Sequence, residues 1–232
     1  MGGGGKNIVA FIPARGGSQR LKNKNVRLLA GKPLLFYTIE AAMSCLEISS
    51  VIVSTDSEII RQLAQECGAT CPELRSAELS SDTVTVDEVL TQFLLGMEEP
   101  PDLVVVLQPT SPFRTASHIN KALAIYEQEK ALNVVSLTKT KSPINSVGFL
   151  EKGLCLDKFL VEGELKDIAT TLQPYRLNGA IYIVDTAEFM RRKTLFFNDP
   201  NSFAFEMSAL DSVDIDTDLD LLWAEFIFQH KK

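Results

Sequence analysis

Histidine is nearly missing from this chain: His118 and His230 are the only two among 232 residues. Two imidazoles so far apart offer no His-built zinc site and no Ser-His or Cys-His nucleophile pair, and both read as surface residues. Cysteine is sparse as well. Cys45, Cys67, Cys71 and Cys155 form no CxxC, which excludes a disulfide framework and fits a reducing cytoplasm. No apolar run approaches the ~20 residues of a membrane helix. The opening MGGGGK lacks both an apolar h-region and the Ser/Thr of a myristoylation signal, so residues 1–5 read as a flexible tail. Excess basic charge is missing too: 23 Lys+Arg stand against 30 Asp+Glu, a net charge of −7 that argues against a nucleic-acid binder. Neither GxxxxGK[ST] nor GxGxxG occurs.

What is present is a folded-protein composition, 45% apolar and 23% charged, in a length that favours one domain over residues 6–232. The net charge hides an asymmetry. Residues 1–39 carry seven Lys/Arg (Lys6, Arg15, Arg20, Lys22, Lys24, Arg27, Lys32) and no acid; residues 194–229 carry eight Asp/Glu and no Lys/Arg. Apolar patterning alternates between strand and helix. Strands are expected at 7–14, 50–56, 103–108, 133–138 and 179–186, and helices at 34–46, 58–67, around 84–97, at 116–130 and 217–229. Pro33 reads as the first helical position, and Ile59, Ile60, Leu63, Ala64 and Cys67 as one helix face. LVVVLQ (103–108) is apolar throughout, as in a strand buried on both faces of a parallel sheet. The alternation predicts an α/β fold with a mostly parallel sheet and flanking helices. Residues 139–177 break the rhythm and read as an inserted β-arm, and an aromatic-rich loop precedes the last helix.

Four segments carry candidate chemistry. Arg15-Gly16-Gly17-Ser18, running on to Lys24 and Asn25, follows the first strand, where open α/β sheets bind ligands. Glycines let backbone N–H groups approach a phosphate, and Arg and Lys neutralise it; cations packed without an acid repel unless an anion joins them. Gln108-Pro-Thr110-Ser111-Pro-Phe-Arg114 is a proline-stiffened polar loop suited to holding a ligand at low ordering cost. Asp214-Ile-Asp216 sets two carboxylates on one face of an extended segment, an arrangement that suits a hard cation such as Mg²⁺ (or Mn²⁺) shared with phosphates. Asp218 and Asp220 fit the first turn of the last helix. Asn178, Tyr182, Phe196 and Phe197 offer an amide and aromatic faces for a sugar, though taken alone core packing is the better account of the rings.

Taken together, FIPARGGSQRLKNKN, GKPLLFYTIEAA, STDSEII, LQPTSPFR, NGAIYI and VDIDTDLDL resemble, in order and spacing, the CMP-sialic acid synthetases (N-acylneuraminate cytidylyltransferases). The resemblance implies a Rossmann-like nucleotidyltransferase fold and a cytoplasmic homodimer built through the arm 139–177. It also implies transfer of CMP from CTP to a nonulosonic acid with release of pyrophosphate. It places Arg15, Gly16, Gly17, Ser18, Lys24, Asn25 and Thr85 at the nucleotide. Gln108, Thr110, Ser111, Arg176, Asn178, Tyr182, Phe196 and Phe197 fall at the sugar acid, and Asp214 and Asp216 at the metal. Arg15, Lys24 and the two aspartates form the catalytic set; no general base is identified beyond an aspartate such as Asp216. Two departures stand out. Gln19-Arg20 replaces the family's Lys-Gly, with Arg20 supplying the lost cation. Ile168 stands where the partner's arm carries a carboxylate-binding Arg; either Arg176 serves instead or the sugar is a relative of sialic acid. Legionaminic, pseudaminic and 3-deoxy-manno-octulosonic acids are the alternative substrates, and a non-catalytic nucleotide-binding module is the alternative of another class. If the reading holds, the basic first 39 residues and the acidic 194–229 meet across one pocket.

Overall fold

A computed structural model describes residues 5–140 and 173–230. Its central sheet has six strands: β1 (Ile8–Pro13), β4 (Ser50–Ser54), β5 (Leu103–Val106), β6 (Asn133–Lys139), β7 (Tyr175–Asp185) and β8 (Ser202–Glu206), in the order β4-β1-β5-β7-β6-β8. Three of the five pairings are parallel; β7 alone runs antiparallel, to both its neighbours. A two-stranded ribbon, β2 (Leu28–Leu29) with β3 (Lys32–Pro33), lies outside the sheet. The helices are α1 (Leu34–Met43), α2 (Glu58–Glu66), α3 (Val86–Leu95), α4 (Ala116–Glu129), α5 (Thr186–Arg192) and α6 (Asp218–His230).

The pleat sends alternate side chains to opposite faces, and each face is covered. From β1 and β5, Ile8, Ala10, Ile12, Leu103 and Val105 pack with Leu35 and Ile39 of α1, Ile60 and Ala64 of α2, and Ile119 and Leu123 of α4. Phe11, Val104 and Val106 point the other way, onto Val89, Leu90 and Leu94 of α3 and Phe189 of α5. All four residues of β5 are fully buried, as its unbroken apolar run requires. The α/β expectation with a mostly parallel sheet and flanking helices is borne out.

A third cluster positions the site. Leu21 and Leu29 from the basic loop and Leu34 from α1 pack with Phe113 and with Val213, Ile215, Leu221, Ala224 and Ile227 from the acidic end. This apolar weld holds the two ends of the chain together, so their charges meet without having to provide the association themselves.

Several expectations need correction. Ile59 is 71% exposed while Ile60 is 4%, because adjacent helical residues lie 100° apart and cannot share a narrow stripe. Pro33 sits one residue before α1, in the β2–β3 ribbon. The aromatic-rich loop contains β8, an edge strand parallel to β6. The ends of the 139–177 arm belong to the central sheet, since Lys139 pairs with Tyr175 and Leu137 with Leu177; residues 141–172, Ile168 and Cys155 among them, lie outside the described residues. His118 is half-buried, closing the capping box of Thr115 at the start of α4.

Candidate active site

The basic loop leaves the carboxyl end of β1 and is organised by hydrogen bonds before any ligand is considered. Gly16 N–H donates to Asp56 Oδ1 at 2.7 Å, and Asn25 Nδ2 donates to the Arg15 carbonyl at 2.8 Å. A Cβ on Gly16 would lie 3.0 Å from Ser57 Cβ, so the glycine lets the loop pass closely over the start of α2. Gly17 is exposed, with open space where a Cβ would stand.

The cations of this loop are not left to repel one another. Arg15 pairs with Asp82 at 2.6 Å, Lys24 with Asp216 at 2.7 Å, Arg20 with Asp216 at 3.1 Å and Arg27 with Asp218 at 3.0 Å. The counter-charges come from distant segments, and for this reason the first 39 residues read as uncompensated. The Lys24–Asp216 bond joins residues 192 apart in sequence and demonstrates the meeting of the basic and acidic ends.

All of these groups except Arg27 and Asp218 border a cavity of 420 Å³. Arg15, Ser18, Lys24, Asn25, Thr85, Gln108, Thr110 and Asp216 line it, as do Gln19 and Arg20. Thr85 is also the N-cap of α3: its hydroxyl donates to Glu88 Oε2 at 2.9 Å and accepts from the Glu88 N–H at 3.2 Å, so cavity-facing chemistry falls to the rest of the residue.

Asp214 and Asp216 flank Ile215, which is fully buried in the third cluster, so both carboxylates turn away from that cluster; Asp216 lines the cavity and Asp214 does not. Asp214 keeps access to solvent but is ringed by protein atoms at longer range. That desolvation pushes its carboxyl above the usual range, and the Asp216 charge pushes the same way. Thr110, whose hydroxyl stops short of a full hydrogen bond, pulls it back down together with Lys24 and Arg176. Asp220 accepts from the N–H groups of Asp216 (3.1 Å) and Thr217 (2.8 Å), which caps α6 and secures the segment carrying the pair.

The sugar-side candidates divide. Gln108 and Thr110 line the cavity. Arg176 reaches the Ser212 carbonyl at 3.3 Å and sits within electrostatic range of Asp214. Tyr182 is half-buried, its phenol pushed up by burial and by the charges of Asp87 and Asp214. Asn178 is 2% exposed and fully engaged: Oδ1 accepts from Ser136 Oγ (2.6 Å) and Ala180 N–H (3.1 Å), and Nδ2 donates to Ser212 Oγ (2.9 Å). It secures the β-bulge where β6 and β7 lose register, and nothing remains for a ligand hydroxyl. Ser111 is fully buried inside its turn, away from the cavity wall. Phe197 is a core residue, 3% exposed, with the Arg192 guanidinium 4.7 Å from its ring centroid; Phe196 is exposed and does not line the cavity. Core packing explains Phe197, and its alternation with Phe196 explains why one ring is inside and the other out.

Sequence reasoning missed Arg75, Asp82 and Asp56, all near the loop just described. Arg75 lines the cavity and donates to the Ser54 carbonyl at 2.8 Å, at the carboxyl end of β4; burial pulls its guanidinium below the usual value, while the Asp56 charge opposes this. The available signal was topological: the turn-rich stretch 68–82 follows a parallel strand and its helix and must return over the ligand-binding edge of the sheet.

The family profile described as "Cytidylyltransferase" matches residues 9–217. A CMP-N,N'-diacetyllegionaminic acid synthase of Legionella pneumophila is 38% identical over 224 residues, covering 94% of this chain and 93% of that protein. An N-acylneuraminate cytidylyltransferase of Escherichia coli is 37% identical over 97% of this chain, which spans only 52% of its length. A solved structure of a CMP:2-keto-3-deoxy-manno-octonic acid synthetase complexed with CTP superposes with a TM-score of 0.73 over 97% of this chain and 100% of that one; at 17% identity it speaks to fold alone. The chain belongs to the cytidylyltransferase family, in agreement with the resemblance carried by its motifs.

Proposed function

We propose that this cytidylyltransferase-family member transfers CMP from CTP to the anomeric hydroxyl of a nonulosonic acid, N-acylneuraminate in the first instance, and releases pyrophosphate. The hydroxyl oxygen forms a bond to the α-phosphorus, the bond from that phosphorus to the bridging oxygen breaks, and pyrophosphate leaves with the electron pair. The observation carrying this reading is the convergence of Lys24 and Asp216, from opposite ends of the chain, on the wall of one cavity. A module that only bound nucleotide would need the cations but not an acidic pair among them.

In this reading Arg15 and Lys24 hold the triphosphate, exchanging Asp82 and Asp216 for phosphate oxygens, while the backbone of Gly16, Gly17 and Ser18 follows the phosphates. Asn25 acts by fixing the Arg15 carbonyl. Gln108, Thr110, Arg176 and Tyr182 receive the sugar acid, Arg176 as the cation for its carboxylate. Such chemistry depends on positioning and charge neutralisation more than on covalent catalysis, in keeping with a chain whose two histidines offer no Ser-His or Cys-His pair.

The donor set fits a divalent cation. Two carboxylates share a face and raise each other's energy, and among the described residues no third His, Cys, Asp or Glu completes a cage. That is the partial, all-oxygen shell that Mg²⁺ or Mn²⁺ takes when substrate phosphates and water fill the remainder. Asp214 and Asp216 would hold the ion, which when bound neutralises phosphate charge as it develops.

A second substrate has specific support. The legionaminic acid synthase matches this chain over nearly its full length, whereas the E. coli N-acylneuraminate enzyme is about twice as long. N,N'-diacetyllegionaminate therefore belongs beside N-acetylneuraminate, pseudaminate and 3-deoxy-manno-octulosonate in the test: incubation with CTP and Mg²⁺ and measurement of pyrophosphate. Release with a nonulosonic acid is expected; no release with any acid, alongside CTP binding, would favour the binding module. The same reading carries a cytoplasmic homodimer, which light scattering on the purified chain tests. Among the described residues no helix is long and apolar enough to cross a membrane.

A further inference from the structure

The antiparallel ladder between β5 and β7 ends at the pair Val106–Tyr182. Two residues further in the same register, Gln108 stands opposite Ala180. They do not pair with each other. Both of their carbonyls accept from a single atom, Nη1 of Arg114, at 3.1 and 3.2 Å.

Arg114 is an expensive group to keep there. It is 2% exposed, its Nε and Nη2 have no partner among the described residues, and burial alone pulls its guanidinium down to about 9. An unpaired buried cation opposes folding, and an apolar side chain of similar volume is often neutral or stabilising in such a place. Stability therefore does not account for the arginine. Its geometry does: one guanidinium nitrogen bridges the Gln108 and Ala180 carbonyls across the two strands, at shorter range than the Ser111 N–H (3.4 Å) and the Thr38 hydroxyl (3.5 Å) that also reach the Gln108 carbonyl.

The consequence falls on the Gln108 side chain. Gly179, with φ of +73°, lies beneath it, and a Cβ at that position would sit 2.8 Å from Gln108 Oε1. The amide thus rests on the bare backbone of β7, at the cavity wall. We propose that Arg114 is a positioning residue for the sugar-acid side of the site: it stitches β5 to β7 past the end of their ladder and so seats the Gln108 amide on Gly179. The inference rests on the reading of Gln108 as a sugar-acid contact.

The test compares Arg114→Met, Arg114→Lys, Gly179→Ala, Gln108→Ala and the double variant Arg114→Met/Gln108→Ala, using whichever acid the wild type converts. Arg114→Met should keep the KM for CTP within about twofold and raise the sugar-acid KM by about tenfold or more, since small misplacements of a contact are costly. Arg114→Lys should recover part of the loss. In the Gln108→Ala background Arg114→Met should add less than about twofold, because two residues acting through one contact are not additive. Gly179→Ala, which displaces the amide without touching Arg114, should reproduce the sugar-acid defect; it carries the test if Arg114→Met fails to fold. Equal rises in both KM values, or effects that multiply in the double variant, would overturn the proposal. If the wild type converts no acid, the proposed function fails and this inference is decided by crystal structures instead. Displacement of the Gln108 amide from Gly179 in Arg114→Lys or Arg114→Met supports it, and an unmoved amide overturns it.

Discussion

Replacing Asp216 by alanine separates its two roles by size. In the unliganded protein the carboxylate, 31% exposed, holds Lys24 at 2.7 Å and Arg20 at 3.1 Å, with the Arg20 side chain 72% exposed. Ion pairs this open to water contribute about 0–1 kcal/mol each. The apolar weld beside Asp216 is built from Ile215 and Val213, not from the carboxylate. Asp216→Ala should therefore cost the fold about 1 kcal/mol, or about 2–4 °C in Tm for a chain of this size. Turnover should fall by a much larger factor, at least about 10²-fold in kcat, because charge neutralisation at the reacting phosphates is lost. A third quantity moves the opposite way. In EDTA, CTP no longer competes with Asp216 for Lys24 and Arg20, and removal of about 1 kcal/mol of competition tightens its Kd about fivefold. Pyrophosphate release, calorimetric melting and CTP titration in EDTA read the three effects separately. Near-normal turnover of a folded Asp216→Ala enzyme would refute the metal assignment. A weaker Kd in EDTA would refute the exchange of Asp216 for phosphate at Lys24.

Ile215→Ala opens a cavity in the cluster joining the basic loop to α6 and should cost about 2–5 kcal/mol by chemical denaturation; loss below about 1 kcal/mol would show that the two ends are held by charge instead. Arg75→Met should raise the KM for CTP while leaving that for the sugar acid within about twofold, as steady-state kinetics will show. Tyr126 is 6% exposed, and burial, then the Asp185 and Glu127 charges, push its phenol up to about 12. The folded state thus binds a proton between about pH 10 and 12 that the unfolded chain has released, so stability falls across that window, by up to about 2 kcal/mol from this group. Tyr126→Phe should flatten that fall in urea unfolding at pH 10–12, and an unchanged slope would exclude the buried phenol as its source.

Much of the architecture was legible along the chain because its signals are local. The unbroken apolar LVVVLQ requires burial on both faces, and β5 lies inside the sheet. The basic glycine loop after β1 and the Asp214/Asp216 pair could be read from residue type and spacing alone. The misreadings occurred where identity depends on a distant partner. Phe196 and Phe197 are the same residue type, and only the packing against Arg192 and the second core cluster separates the buried ring from the exposed one. Asn178 matched a sugar-binding pattern, yet Ser136 and Ser212 consume its amide. β8 was lost among aromatics because an edge strand has half the neighbours and a weaker pattern.

The alternation of strands and helices, the family, and the two oppositely charged ends all follow from residue order and composition. What those charges face follows from the packing of distant segments. Asp82, Asp56 and Arg75 reach the basic loop only because the sheet returns the chain to the carboxyl edge of β1 and β4, and Lys24 meets Asp216 across 192 residues because the apolar cluster around Leu21 and Ile215 brings them together. Electrostatic compensation is a short-range matter in space, and separation along the chain sets no limit on it.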